Sequence, residues 1–225
     1  MLSAIILAAG QGRRLKSVAP KPLVEIGKLP VIIYSLNTLD KHPKIDEIIV
    51  VVNVNNQRAI TRLIKNYSFK KIKSLVLGGR RRQDSVYNGL KMVSGNSDWV
   101  LIHDAARPFI DRKSIAEVIL AARKTGSAIL GVSVKATIKS IKSKGMVDRT
   151  LDRSNLWEIQ TPQVFKKELI LRAYKGYSKM KVTDDASLVE KLGKKVKLVP
   201  GSYANIKITT QEDLLFAQAI AERKC

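Results

Sequence analysis

Residues 6–15 read ILAAGQGRRL, and PKPL follows at 20–23. An apolar run breaks into Ala8, Ala9, Gly10 and Gly12, then Arg13 and Arg14, with Lys21 a few residues on. Small residues let backbone N–H groups approach an anion closely. A guanidinium offers several donors to phosphate oxygens, and a lysine ammonium adds a compact charge. The combination predicts a phosphate-binding loop, though not of two familiar kinds. A P-loop needs Gly-Lys-Ser/Thr, and a dinucleotide fingerprint needs a third glycine, where Leu15 stands. The plain alternative is a strand-to-helix turn with solvated arginines. RR and PK at this spacing, directly after the first strand, favour phosphate.

Two further stretches carry chemistry. In HDAARP (103–108) a carboxylate and a guanidinium close an apolar run. Asp104 at a strand end suits Mg²⁺, which takes few carboxylates and completes its shell with substrate phosphate oxygens. The alternative for Asp104 is a helix N-cap. His103 is read as pointing to the opposite face of the strand rather than as catalytic, and His42 as a surface residue. In GGRRRQDSV (78–86), Gly78 and Gly79 permit close backbone approach, and the Ser85 hydroxyl can bond a base or ribose. Arg81 and Arg82 are either solvated, or Arg82 braces the loop.

These residues need a scaffold. Strand-like runs at 4–8, 48–53, 74–77, 99–103 and 128–134 alternate with helix-periodic runs at 31–41, 55–66, 84–93 and 112–124. EIIVVVN and DWVLIHD are nearly continuous in apolar residues, as strands covered on both faces require. The alternation predicts an α/β, doubly wound, mostly parallel sheet, Rossmann-like, with its site at the strands' carboxyl ends. From about 135 to 160 polar and apolar residues alternate around Lys144-Gly145, a hairpin turn. This reads as a β-arm leaving the sheet at about 135–155. Helices at about 166–176 and 185–192, a strand at 196–199 and a helix from about 211 complete the chain. In TDDAS, Thr183 or Asp184 caps a helix. A single domain over 1–225 with an inserted arm is the economical organisation.

Bulk composition narrows the function classes. Cys225 is the only cysteine, which excludes an intrachain disulfide framework. The first apolar run is too short for a signal segment or a membrane span, so a cytoplasmic protein is expected. The formal charge is +22, from 41 Lys and Arg against 19 Asp and Glu. Such a charge fits a nucleic acid or a polyanionic small substrate. Aromatic residues at 5% are too sparse for base-stacking platforms, so nucleic acid is disfavoured.

The first loop resembles that of the nucleotidyltransferases joining sugar or polyol phosphates to nucleoside triphosphates. GGRRRQDSVYNGL, VLIHDAARPF, LDRSNLWEIQTPQVF, TDDASLVE and NIKIT follow in order. The whole set, spanning residues 3 to about 220, is similar to the 2-C-methyl-D-erythritol 4-phosphate cytidylyltransferase family. The resemblance implies transfer of a cytidylyl group from CTP to a polyol phosphate, releasing pyrophosphate, with Mg²⁺ as cofactor. It implies Arg14, Lys21, Arg153 and Lys207 as catalytic. It assigns substrate contacts to Ala8, Ala9, Gly10, Gly12, Gly79, Arg80, Ser85, Asp104, Ala105, Arg107, Thr137 and Thr161, with Asp104 also on the metal. Thr137 and Arg153 would serve the partner subunit of a homodimer with exchanged arms. Two residues depart from the family pattern: Arg80, where acidic or polar residues are common, and Ala136, where aspartate is. Ribitol 5-phosphate is the alternative acceptor, and a basic nucleic-acid-binding module the alternative of another class.

Overall fold

A computed structural model describes residues 1–10, 12–15, 19–177 and 179–223. Gln11 of the first loop and Cys225 lie outside the described residues. The strands are β1 (Leu2–Leu7), β2 (Glu25–Ile26), β3 (Leu29–Pro30), β4 (Glu47–Val52), β5 (Ile72–Leu77) and β6 (Trp99–Asp104). They continue as β7 (Ser127–Ser133), β8 (Ile138–Ile141), β9 (Val147–Leu151), β10 (Trp157–Lys166) and β11 (Lys197–Pro200). The helices are α1 (Val31–Asp40), α2 (Gln57–Asn66), α3 (Arg82–Leu90), α4 (Arg112–Thr125), α5 (Lys167–Tyr177), α6 (Ala186–Lys191) and α7 (Gln211–Glu222).

A seven-stranded sheet runs in the order β11-β7-β10-β6-β1-β4-β5. All its pairings are parallel except those of β10, which is antiparallel to β6 and β7. The alternation of side chains along a strand divides the core. Ala4, Ile6, Ile48, Val50 and Leu101 face one side, with Ile32, Leu36 and Ile119 from α1 and α4. Ile5, Ile49, Val51, Val100 and Ile102 face the other, with Val86, Ile170 and Leu188 from α3, α5 and α6. Two covered faces explain why β4 is buried at every position.

Local signals set the element ends. Asp111 caps α4, its carboxylate accepting the Ser114 N–H at 2.7 Å. Gly126, at φ +88°, ends the same helix in the left-handed conformation. Asp185 stands at the N-cap position of α6 without a side-chain cap bond of its own, and the Asp184 carboxylate just before it accepts the Ser187 N–H at 3.1 Å; of the two candidates in TDDAS it is the aspartate that bonds the first turn.

The two-stranded ribbon pairs β8 with β9 only, Ile138 opposite Leu151, and turns where Lys144 and Gly145 both hold positive φ. Past the arm, where the sequence predicts no strand, Trp157–Lys166 form β10 in the middle of the main sheet. The polar β10 residues hid it. Gln160 and Gln163 are buried, and their amides find distant partners: Gln160 donates to the Ser202 carbonyl at 2.9 Å, Gln163 to Asp184 at 2.9 Å. A register shift between Gln160 and Gln163 accommodates Pro162 in a central strand. His42 also departs from expectation. It is 2% exposed, and its Nδ1 accepts the Lys44 N–H at 3.3 Å. Flanking lysines gave it a surface look, but burial holds its pKa down.

Candidate active site

The strand order reverses between β1 and β6, where Leu7 stands opposite Asp104. A crevice opens at the carboxyl ends of the strands at such a point. Strand-end loops supply most of what gathers there, with Thr161 from within β10 and Arg82 from the start of α3.

The first loop is pinned by its neighbours. Ala8 donates its N–H to the Val51 carbonyl at 2.7 Å. Asn56 and Asn53 donate side-chain amides to the carbonyls of Ala8 and Ala9, at 2.8 and 3.0 Å. A Cβ built on Gly10 would meet nothing within 4 Å, so the loop presents open space there. Gly12 sits at φ +65°, where an L side chain is strained. Leu15 is buried with Ala217 of α7, and Gln211 donates to the Leu15 carbonyl at 2.6 Å. The last helix therefore holds the first loop, a contact that sequence periodicity could not announce.

Lys21 opens a short turn, Lys21–Leu23, with Pro22 buried behind it. Burial lowers its pKa from the usual lysine value, and the charges of Lys207 and Arg14 lower it further against the opposing pull of Asp104. Arg14, Lys21, Asp104 and Lys207 thus share one field.

Asp104 is its centre. It is 6% exposed. Arg82 Nε donates to Oδ1 at 3.2 Å, and Lys207 Nζ to Oδ2 at 2.5 Å. Burial alone would raise its pKa; Arg82, Lys207 and Arg107 hold it far below the ordinary carboxylate range instead. Lys207 arrives because the Ile208 N–H bonds the Ala106 carbonyl at 2.9 Å, zipping its segment onto HDAARP. Ala105 is buried and donates its N–H to the Leu7 carbonyl at 3.1 Å.

Thr161 lines the same cleft of about 330 Å³, with Asp104, Arg107 and Lys207. Its hydroxyl accepts the Asp104 N–H at 3.0 Å and pairs with His103 Nδ1 at 3.1 Å. His103 Nε2 faces the Arg107 carbonyl at 3.1 Å. An acceptor at Nε2 and a hydroxyl at Nδ1 suit the neutral Nε2–H tautomer. Full burial lowers the His103 pKa to about 4. His103 is therefore a neutral brace with both nitrogens occupied, in line with the non-catalytic reading. The Arg107 guanidinium donates to the Asn205 carbonyl at 2.8 Å and the Ile159 carbonyl at 3.2 Å, tying its loop to that of Asn205 and to β10.

The second glycine loop is equally organised. A Cβ on Gly78 would come within 2.5 Å of the Ala9 Cβ, and one on Gly79 within 2.3 Å of the Asp84 Cβ. Here glycine is required for close packing of the two loops. Ser85 accepts the Gly79 N–H at 3.1 Å and donates to the Arg81 carbonyl at 3.2 Å. Arg81 forks onto Asp84 at 2.6 Å, and Arg80 is exposed. Arg82 resolves the open alternative: it is no solvated side chain but bridges Asp104 and Asp185.

Thr137 and Arg153 stand apart. Both are exposed on the arm and neither lines the cleft. Arg153 Nη1 donates to the Lys135 carbonyl, closing the arm's base. Asp104, Arg107, Thr161 and Lys207 of one chain line the cleft, and Lys21, with the charge of Arg14 on it, lies in the field of Asp104 and Lys207; the arm residues join neither group. Arg82, Asn53, Asn56 and Asn205 support the site, yet were not singled out as site residues. The local signals are VNVNN for Asn53 and Asn56, NIKIT for Asn205 and GGRRRQDSV for Arg82.

Comparison with known proteins agrees with this geometry. The family model for 2-C-methyl-D-erythritol 4-phosphate cytidylyltransferase matches residues 2–223. A protein of that name from Geobacillus kaustophilus is 44% identical over 220 residues, covering 96% of this chain and 95% of its own. One from Syntrophus aciditrophicus is 45% identical over 98% of this chain and 96% of its own. The crystal structure of 4-diphosphocytidyl-2C-methyl-D-erythritol synthase from Anaerococcus prevotii superposes with a TM-score of 0.87 at 39% identity, covering 99% of this chain and 96% of that one. A glycine loop, a strand-end aspartate and a ring of cations at the sheet's switch point are what a phosphate-handling transferase needs, and the match runs the length of the fold. The chain belongs to the 2-C-methyl-D-erythritol 4-phosphate cytidylyltransferase family.

Proposed function

We propose that the chain transfers the cytidylyl group of CTP to 2-C-methyl-D-erythritol 4-phosphate, releasing pyrophosphate and forming 4-diphosphocytidyl-2-C-methyl-D-erythritol, a step of isoprenoid precursor synthesis. One observation carries the mechanism: Arg82, Arg107 and Lys207 surround a single buried carboxylate, Asp104, and Lys21 lies in its field with Arg14 beside Lys21. An acceptor phosphate monoester is largely a dianion at neutral pH and needs no general base. Its oxygen attacks the α-phosphorus and pyrophosphate departs. The work left to the protein is positioning and neutralisation of charge. The engaged, neutral His103 agrees with that division. Lys21 and Arg14 hold the triphosphate against the Gly10 backbone, and Lys207 takes a phosphate oxygen near Asp104. The loop of Gly79, Arg80 and Ser85 receives the cytosine.

Mg²⁺ fits the donor set. Among the described residues no cluster of three His, Cys, Asp or Glu forms a cage, whereas a lone carboxylate facing phosphate is the usual Mg²⁺ arrangement in such sites. Asp104 would hold it, and the ion would offset charge on the phosphate oxygens.

The arm supports a homodimer. Its Ile141, Met146 and Val147 are 54, 69 and 57% exposed, and an isolated two-stranded ribbon is marginal in water. Packing against a second copy covers them and carries Thr137 and Arg153 to the partner's acceptor site. Among the described residues no helix is long and apolar enough to cross a membrane, which suits work in the cytoplasm on two small anionic substrates.

The direct test is pyrophosphate release from CTP with methylerythritol phosphate and, separately, ribitol 5-phosphate. Turnover at least tenfold more efficient with the former is expected, and preference for ribitol 5-phosphate would reassign the acceptor. Arm exchange is tested by co-refolding Lys21→Ala with Arg153→Ala. Each alone is inactive, and random pairing restores about a quarter of wild-type sites, because each heterodimer has one intact site. Heterodimers without activity would place both residues in one chain's site.

A further inference from the structure

Asp104 is held at both oxygens by cations of different standing. Lys207 reaches Oδ2 from a loop, with its side chain 37% exposed. Arg82 reaches Oδ1 through Nε, while its Nη1 donates to Asp185 Oδ2 at 2.9 Å. Asp185 is 1% exposed, and its Oδ1 accepts the Tyr174 hydroxyl at 2.5 Å. Tyr174 is also 1% exposed, its ring stacked 5.9 Å from that of Tyr87 in α3. Behind Arg82 there is thus a buried chain of groups from three elements: α3, the turn before α6, and α5.

The surroundings of this chain are apolar: Val86, Phe165, Ile170, Leu188 and Val189 belong to the same core. Burying an ion pair among such residues gains little stability over well-packed hydrocarbon. Its value is directional. A guanidinium is planar and rigid, so fixing one edge on Asp185 fixes where the other edge points.

We infer that Tyr174 and Asp185 are positioning residues that act through Arg82 to hold the Asp104 carboxylate in its working orientation. Lys207 is the exchangeable partner. It turns to a substrate phosphate, while Arg82 stays because Asp185 anchors it from behind. Arg82 also follows directly on the glycine loop assigned to the base. The same side chain therefore joins the base loop to the aspartate at the reacting phosphates. The inference deepens the cytidylyl-transfer reading and rests on it for its kinetic consequence.

The test is a double-mutant cycle in kcat with Arg82→Lys and Tyr174→Phe, beside Asp185→Asn. Tyr174→Phe should lower kcat about fivefold and Asp185→Asn about 10- to 100-fold, with KM for CTP within about twofold, because the lost contact acts on orientation. The double variant should be no slower than Arg82→Lys alone, since residues in series are non-additive. Leu188→Ala, which loosens the same core without touching the chain of groups, should keep kcat per folded molecule. A second readout needs no turnover: by NMR, the Arg82 Nε–H should exchange with solvent faster in Tyr174→Phe and Asp185→Asn than in wild type. Additive kinetic losses, an unchanged kcat in Tyr174→Phe, an equal loss in Leu188→Ala, or unchanged Nε–H exchange would each overturn the inference. Failure of wild-type enzyme to use methylerythritol phosphate would instead overturn the functional reading, and the exchange measurement would still decide the positioning.

Discussion

Glu47 opens β4 and Asp104 closes β6, two buried carboxylates at opposite ends of one sheet. Glu47 accepts from the Ser3 hydroxyl at 2.5 Å, the Ser94 N–H at 2.8 Å and the Lys73 ammonium at 3.0 Å. One cation and two neutral donors satisfy it. Asp104 is met by Arg82 and Lys207, with Arg107 beside it and Lys21 in its field. Both carboxyls overcome burial to stay below the usual acidic range. The surroundings differ in what remains. At Glu47 one cation balances the charge and two neutral donors complete the set. At Asp104 cations exceed the carboxylate and line a cleft, which favours an incoming polyanion. A buried carboxylate with neutral donors is structure; one outnumbered by cations is a binding site.

The largest expected effects lie at the cation-rich end. Asp104→Asn keeps the shape of the strand end and removes the anion. Its kcat should fall on the order of 10²- to 10³-fold, with a raised Mg²⁺ requirement. Full activity in EDTA would remove the metal from Asp104. Lys21→Ala should lower kcat on the order of 10²-fold while thermal stability stays near wild type, as the loss of a transition-state cation does. A near-normal kcat would drop Lys21 from the catalytic set.

Acid should separate the two ends. The pKa of His103 is about 4 when folded, against 6.5 ordinarily. Between those values the unfolded chain binds the extra proton, so the contribution is present above pH 6.5 and is lost as pH falls toward 4. At about 1.4 kcal/mol per unit it amounts to about 3 kcal/mol at most. Glu47, lowered from 4.5, contributes above that pH and loses its contribution only below it. Denaturant midpoints from pH 7 to 4 should therefore fall in wild type and fall less steeply in His103→Asn, where the lowered His42 still contributes a loss of the same sign. An unchanged slope in that variant would assign the acid loss elsewhere.

The smallest effect belongs to Glu47→Gln. Removing a charged acceptor from neutral donors and one lysine should cost about 2 kcal/mol of stability and leave kcat per folded molecule unchanged. A comparable loss of kcat would mean that the two ends are coupled, and the contrast drawn between them would fail.

Periodicity and local chemistry carried much of the molecule. The apolar runs of β1, β4 and β6 announce covered strands because alternate residues face two different cores. The positions of Gly10 and Asp104 at strand ends follow from where β1 and β6 stop, and that of Gly79 from where β5 does. What periodicity missed is nonlocal. β10 carries buried glutamines whose amides are satisfied by Ser202 and Asp184, so its polarity hid it as a strand of the main sheet. His42 looked exposed beside lysines, and only packing removes it from water.

The sequence by itself determined which residues could handle phosphate and that they follow strands, since small residues, cations and apolar runs act over a few neighbouring positions. Only the tertiary structure decided which of them meet. Lys207 and Arg82 each find a carboxylate 103 residues distant, on Asp104 and Asp185. The physical reason is that a buried charge is stabilised by partners in space, and the fold alone brings those partners within hydrogen-bond reach.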